Sequence, residues 1–118
     1  METKNLIDLV VGALEDLKGQ DIEVLDVSDM TTITDAMVIV SGTSNRHVRS
    51  LADHVVMQAK DDGQQPLGVE GEQQGDWILV DLNDVLVHVM LPKTRDFYSL
   101  EKLWKISGAA RRVAQFSL

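Results

Sequence analysis

Few residues of this 118-residue chain have the types and spacing that chemistry requires. Gly42-Thr43-Ser44 stands between an apolar run and a helical pattern, where a turn could aim backbone N–H groups at an anion. It has neither the lysine nor the longer loop of a Walker motif, and a turn with a helix N-cap accounts for it. A nucleotidyltransferase would add a metal-holding D-x-D to such a turn. The nearest segment, Asp81-Leu82-Asn83, has an amide in place of the second carboxylate. One carboxylate is a poor magnesium ligand set, which speaks against catalysis. His47 and His54 share a helix face but lie about 10 Å apart along its axis, too far to hold one metal. His88 falls in a strand, diagonal to Asp81, and could pair with it. A hydrogen-bonded structural role is the expectation for each histidine. The absence of cysteine excludes disulfides, thiolate zinc sites and cysteine nucleophiles, and no nucleophile elbow supports a serine triad. No catalytic residue, metal site or cofactor is therefore expected.

What the chain concentrates instead is aromatic surface. Both tryptophans, the single tyrosine and one of the two phenylalanines fall between Gly75 and Trp104. Large aromatics gathered in this way suit a contact with another protein. The candidate partner-binding residues are Trp77, Leu79, Asp81, His88, Met90, Arg95, Tyr98, Leu100, Glu101 and Trp104.

Charge narrows the partner. Eleven Lys and Arg against nineteen Asp and Glu give a net charge of −8. Asp61, Asp62, Glu70, Glu72, Asp76, Asp81 and Asp84 form one stretch without a Lys or Arg, whereas Lys105, Arg111 and Arg112 are the only charges after Trp104. Nucleic-acid binders gain affinity by neutralising phosphates, so no DNA contact and little or no RNA contact are expected. A basic protein would be attracted and steered, and a solvated acidic surface is the plain alternative. The hydrophobic share of 44% is ordinary for a globular protein. Met1 begins an amphipathic pattern rather than a signal peptide, and no apolar run reaches the ~20 residues of a membrane span. A cytoplasmic protein with no membrane contact is the expectation.

The elements that must position these residues are readable from periodicity. Leu6, Ile7, Val10, Val11, Leu14 and Leu17 have helical spacing, with Gly19 as the stop. Ile22 to Val27 and Met37 to Val40 read as strands on either side of a polar loop. Val48, Leu51, Ala52, Val55, Val56 and Ala59 define a second helix, capped by Ser44 or Thr43. Pro66 to Glu70 reads as a short edge strand. A tight turn at Asn83-Asp84, with positive φ, pairs Leu82 with Val85, Val80 with Val87 and Ile78 with Val89. All of these are aliphatic, so that face is core. The other face carries Trp77, Leu79, Asp81, Leu86, His88 and Met90, and either a helix of the chain or a partner covers it. Phe97, Leu100 and Trp104 share one helical stripe, with Tyr98 pointing elsewhere. This order predicts an α/β fold, a mixed sheet of about five strands flanked by helices with a parallel crossover through the 44–60 helix.

Taken in order, Asp21-Ile22, Asp26-Val27, Thr34-Asp35, Gly42-Thr43-Ser44, Glu70-Gly71, Trp77-Ile78-Leu79-Val80-Asp81, Val87-His88-Val89, Arg95 and Tyr98-Ser99-Leu100-Glu101-Lys102-Leu103-Trp104 resemble the ribosomal silencing factor, or Iojap-like, family. The likeness runs from the first helix to Trp104, which implies one domain over residues 1–104. It also implies a nucleotidyltransferase-like topology without the catalytic carboxylates. The implied function is translational repression: binding to the large ribosomal subunit through ribosomal protein fourteen, which blocks joining to the small subunit when nutrients run short. The implied partner surface is the hairpin's second face with the aromatic helix, carried by Trp77, Asp81, Tyr98, Leu100 and Trp104. Ala36-Met37 departs from the family's aromatic pair, and residues 105–118 continue beyond the resemblance as a basic tail, disordered or helical. A nucleotidyltransferase-like nucleotide-binding enzyme is the alternative function. A homodimer of the free protein through the same face is compatible with the first.

Overall fold

In a computed structural model of the chain, residues 2–100, 102 and 111–112 are described. Helix α1 (Thr3–Asp16) buries Leu6, Val10, Ala13 and Leu14 on one stripe. Lys18, at φ +61°, takes the left-handed conformation that turns the chain into β1 (Gln20–Asp26). β1 pairs antiparallel with β2 (Ala36–Ser41), with an irregularity between Gln20 and Glu23 where Asp21 sits at φ +51°. Helix α2 (Asn45–Asp61) starts at Ser44, whose hydroxyl accepts the His47 N–H at 3.1 Å. Its buried Val48, Leu51, Ala52, Val55 and Ala59 follow the predicted stripe. β3 (Gly68–Glu70) is the edge strand expected after Pro66.

The hairpin of β4 (Trp77–Asp81) and β5 (Val85–Met90) adopts the expected register, with Ile78 opposite Val89 and Val80 opposite Val87. Leu82 donates its N–H to the Val85 carbonyl at 2.9 Å. The turn differs in one respect. Of its two residues only Asn83 has positive φ, at +72°, and Asp84 donates its N–H back to Leu82 O at 3.0 Å. β5 then lies parallel to β2, which gives the mixed order β3-β4-β5-β2-β1 with a two-residue β6 (Arg111–Arg112) beside β1. Apart from Arg111 and Arg112, the expected basic tail lies outside the described residues. Among the described residues no helix is long and apolar enough to cross a membrane.

The sheet has two unlike faces. On one, α1 and α2 cover Val24, Val38, Val40, Ile78, Val80, Val87 and Val89 in the main core. Each such aliphatic gains about 1.5–3 kcal/mol from burial, so a one-residue slip of the hairpin would forfeit several of these gains together and the register is fixed. On the other face Leu25, Val27, Ile39 and Met90 form a smaller cluster with Met37, Trp77 and Leu100 against it. Helix α3 (Pro92–Tyr98) borders this second face. The aromatic stripe expected to run on as one helix is interrupted at Ser99, which turns left-handed at φ +50° and donates its N–H to Arg95 O.

Candidate protein-docking face

The second face answers the question left open by the sequence. Among the described residues Leu25, Val27, Ile39 and Met90 are fully buried on this face, whereas Trp77, Leu79 and Asp81 of β4 are only half-buried. Met90 is fully buried, His88 is 6% exposed and Arg95 is 8% exposed. These three, expected at the surface, lie beneath it. Arg95 donates to Ser41 Oγ at 3.0 Å, with Glu23 Oε2 3.7 Å from its other terminal nitrogen. Glu23 on β1 and Ser41 at the end of β2 draw the guanidinium inward, so this candidate partner-binding residue is buried. Leu100 is half-buried and packs on the small apolar cluster. Glu101, Leu103 and Trp104 lie outside the described residues.

What stays accessible is a band of half-buried Trp77, Leu79, Asp81 and Leu86 with exposed Glu70 beside it. Two shallow clefts share Glu70 and Leu79. One of about 270 Å³ adds Gly71 and Trp77, and one of about 170 Å³ adds Leu67, Gly68 and Asp81. Leu67 is 69% exposed at the outer edge.

An aromatic ladder climbs from this band to solvent. His88 Nδ1 accepts the Trp77 Nε1–H at 3.0 Å. The Trp77 ring lies 4.8 Å from Tyr98, and Tyr98 lies 5.0 Å edge-on from Phe97. Tyr98 is 52% exposed and Phe97 is 80% exposed, so the ladder ends in adjoining aromatic rings at the surface. Of the two diagonal neighbours, Asp81, with which His88 could have paired, and Trp77, it is Trp77 that bonds it. Because Nδ1 accepts, the imidazole proton is on Nε2. That nitrogen is buried and has no hydrogen-bond partner among the described residues. Burial lowers the His88 pKa to about 4.

Elsewhere polar groups are already engaged. Thr43 N–H donates to His47 Nδ1 at 2.8 Å and Gly42 N–H to Met90 O at 2.9 Å, so this turn does not present them to an anion. His47 Nε2 donates to Leu17 O at 2.8 Å, and His54 meets Asp16 at 3.1 Å. Asp81 Oδ1 accepts the Asn83 N–H at 2.9 Å. Among the described residues no three His, Asp or Glu side chains are grouped to hold a metal.

Two residues that the sequence reading did not single out shape the rim. Arg49 donates from Nε to Glu72 O at 2.9 Å and from Nη2 to Gln73 O at 2.7 Å, and Asn45 donates to Gln74 O at 3.1 Å. They clasp the acidic β3–β4 loop from the first turns of α2. Backbone carbonyls leave no trace in sequence, so only the conjunction of a glycine-flanked acidic loop and a facing arginine hinted at the clasp.

The profile of the family described as "Ribosomal silencing factor during starvation" matches residues 1–116. The chain belongs to the ribosomal silencing factor family. It is 46% identical to the silencing factor of Chromobacterium violaceum, over 88% of this chain and 85% of that one. The Haemophilus influenzae factor is 42% identical over 84% and 97% of the two chains. A mouse protein named for mitochondrial assembly of the ribosomal large subunit is 35% identical over 94% of this chain and 50% of its own. The crystal structure of a Chromobacterium violaceum protein superposes with TM-score 0.88 at 46% identity, covering 89% and 88%. One from Bacillus halodurans gives 0.79 at 34% identity, covering 86% and 94%. Membership of that family is consistent with a part in ribosome-associated regulation of translation.

Proposed function

We propose that this silencing factor acts in the cytoplasm by binding large-subunit ribosomal protein fourteen, and that its bulk then keeps the small subunit from joining. Translation falls because occupied large subunits cannot pair, and no turnover is needed. The observation that carries this reading is the ladder from buried His88 through Trp77 and Tyr98 to exposed Phe97, continuous with the open band over β3 and β4. Aromatic anchors at the edge of an apolar band are the anatomy of a protein contact. The acidic rim of Glu70, Glu72, Asp76, Asp81 and Asp84 favours a basic protein over exposed RNA phosphates. Family membership supports the ribosome as the particle.

The test is subunit joining followed by light scattering. Added protein should lower the yield of joined ribosomes in proportion to its occupancy of large subunits. Joining that proceeds unchanged at saturating protein would end the steric reading. The same face would also serve a homodimer of the free factor, seen as concentration-dependent sedimentation that large subunits abolish.

A further inference from the structure

His88 occupies a place where an aliphatic residue would pack better. It stands in the middle of β5 between Leu79 on β4 and Ile39 on β2, only 6% exposed, on the face shared with Met90. A buried polar ring is unfavourable unless its groups are bonded, and here only Nδ1 is satisfied while Nε2–H has no partner among the described residues. What the imidazole supplies, and leucine would not, is an acceptor aimed at the Trp77 indole.

We propose that His88 is a positioning residue: through the Nδ1···H–Nε1 bond it holds the Trp77 ring against Tyr98, so that the docking ladder is set before a partner arrives. The inference rests on the docking reading above, and His88 itself touches no partner. Trp77 begins β4 and is half-buried, so without that bond its ring has other orientations open to it. The 3.0 Å bond selects the one that brings the ring to 4.8 Å from Tyr98. Tyr98, at the end of α3 beside a left-handed Ser99, gains its support from that ring rather than from a longer helix. Ordering a free aromatic side chain on binding lowers affinity, and a preset ladder avoids that loss. The neutral imidazole needed as acceptor is the form that burial favours at neutral pH.

The experiment compares His88→Leu and His88→Asn with the wild type. It reads thermal stability, the Trp77 indole N–H resonance (assigned with Trp77→Phe) and affinity for purified large ribosomal subunits. His88→Leu should keep or raise the melting temperature, because it removes a buried Nε2–H that has no partner among the described residues. Its indole resonance should shift, and its affinity should fall about tenfold, the scale of reordering one side chain. His88→Asn places an acceptor oxygen near the site of Nδ1 and should regain most of the affinity despite a lower melting temperature. His88→Phe, nearer in ring size, gives the same reading should leucine pack badly. A leucine variant that loses stability and binding together, with no regain in asparagine, would reduce His88 to a structural residue. An unmoved indole resonance, or unchanged affinity beside a shifted one, would overturn the proposal as well. Failure of the docking reading shows separately, as wild-type protein that does not bind large subunits while the indole still responds to His88.

Discussion

Replacing Gly71 with alanine tests how tightly the β3–β4 loop is built against the first residue of the docking strand. Gly63 supplies the control, since both glycines hold left-handed backbone, at φ +90° and +82°. A Cβ on Gly63 meets nothing within 4 Å, whereas one on Gly71 would lie 2.0 Å from Trp77 O and 3.1 Å from its carbonyl carbon. Alanine in that conformation costs roughly 1 kcal/mol at either site. The overlap at Gly71 is with main chain, so no side-chain rotation relieves it and the loop must move by about an ångström. That movement draws the Glu72 and Gln73 carbonyls off Arg49 and Gln74 O off Asn45. At about 0.5–1.5 kcal/mol per hydrogen bond weakened, Gly71→Ala should cost roughly 3 kcal/mol in all, against roughly 1 for Gly63→Ala. For a chain of 118 residues the unfolding entropy makes each kcal/mol worth about 4 °C. Thermal unfolding should therefore fall by about 12 °C in Gly71→Ala and by about 4 °C in Gly63→Ala. The near-ultraviolet tryptophan signal should change only in the first. Equal falls in the two variants would refute the close approach of Gly71 to Trp77.

Other outcomes follow from single contacts. Ser44→Ala removes the acceptor of the His47 N–H at the start of α2 and should cost about 1 kcal/mol in denaturant unfolding; a neutral effect would show that another group caps the helix. Burial lowers His88 from 6.5 to about 4, so between those values the unfolded chain holds the extra proton and the folded one does not. The contribution of His88 to stability is therefore full above pH 6.5 and is lost as pH falls toward 4, by roughly 3 kcal/mol over the whole window. Urea midpoints measured from pH 7.5 to 4.5 should show a slope that is clearly shallower in His88→Leu, and parallel slopes would contradict the assignment. Arg49→Lys keeps the charge but loses the fork that reaches two carbonyls. Amide exchange should then quicken in residues 71–75 with little change in the core strands, and uniform protection would show that the loop stands without the clasp.

The architecture was legible because its signals were local and redundant. In α2 the apolar stripe and the Ser44 cap agreed, and in the hairpin every helix-facing pair was aliphatic, which left one register. The acidic rim and the concentration of aromatics were equally plain. The edge of the site was less so. Phe97, Leu100 and Trp104 fit one helical stripe, and serine carries no strong signal for the left-handed turn that Ser99 makes. The partner of His88 was missed for a geometric reason: Trp77 and Asp81 are both diagonal to it, and strand twist together with the reach of the indole decides between them. Arg95 stood among the candidate contact residues because sequence does not show that Ser41 and Glu23 lie under α3. Surface and support alternate along the same few residues, and only packing separates them.

The most direct measurement is co-sedimentation with purified large and small ribosomal subunits, wild type beside a Phe97→Glu, Tyr98→Glu double variant. Both side chains are mostly exposed, so the variant should keep the circular dichroism of the wild type. The expected result is wild-type protein pelleting with large subunits only, and the variant left in the supernatant. Equal pelleting of both proteins would contradict the proposed face, and no pelleting of the wild type with either subunit would contradict the proposed partner.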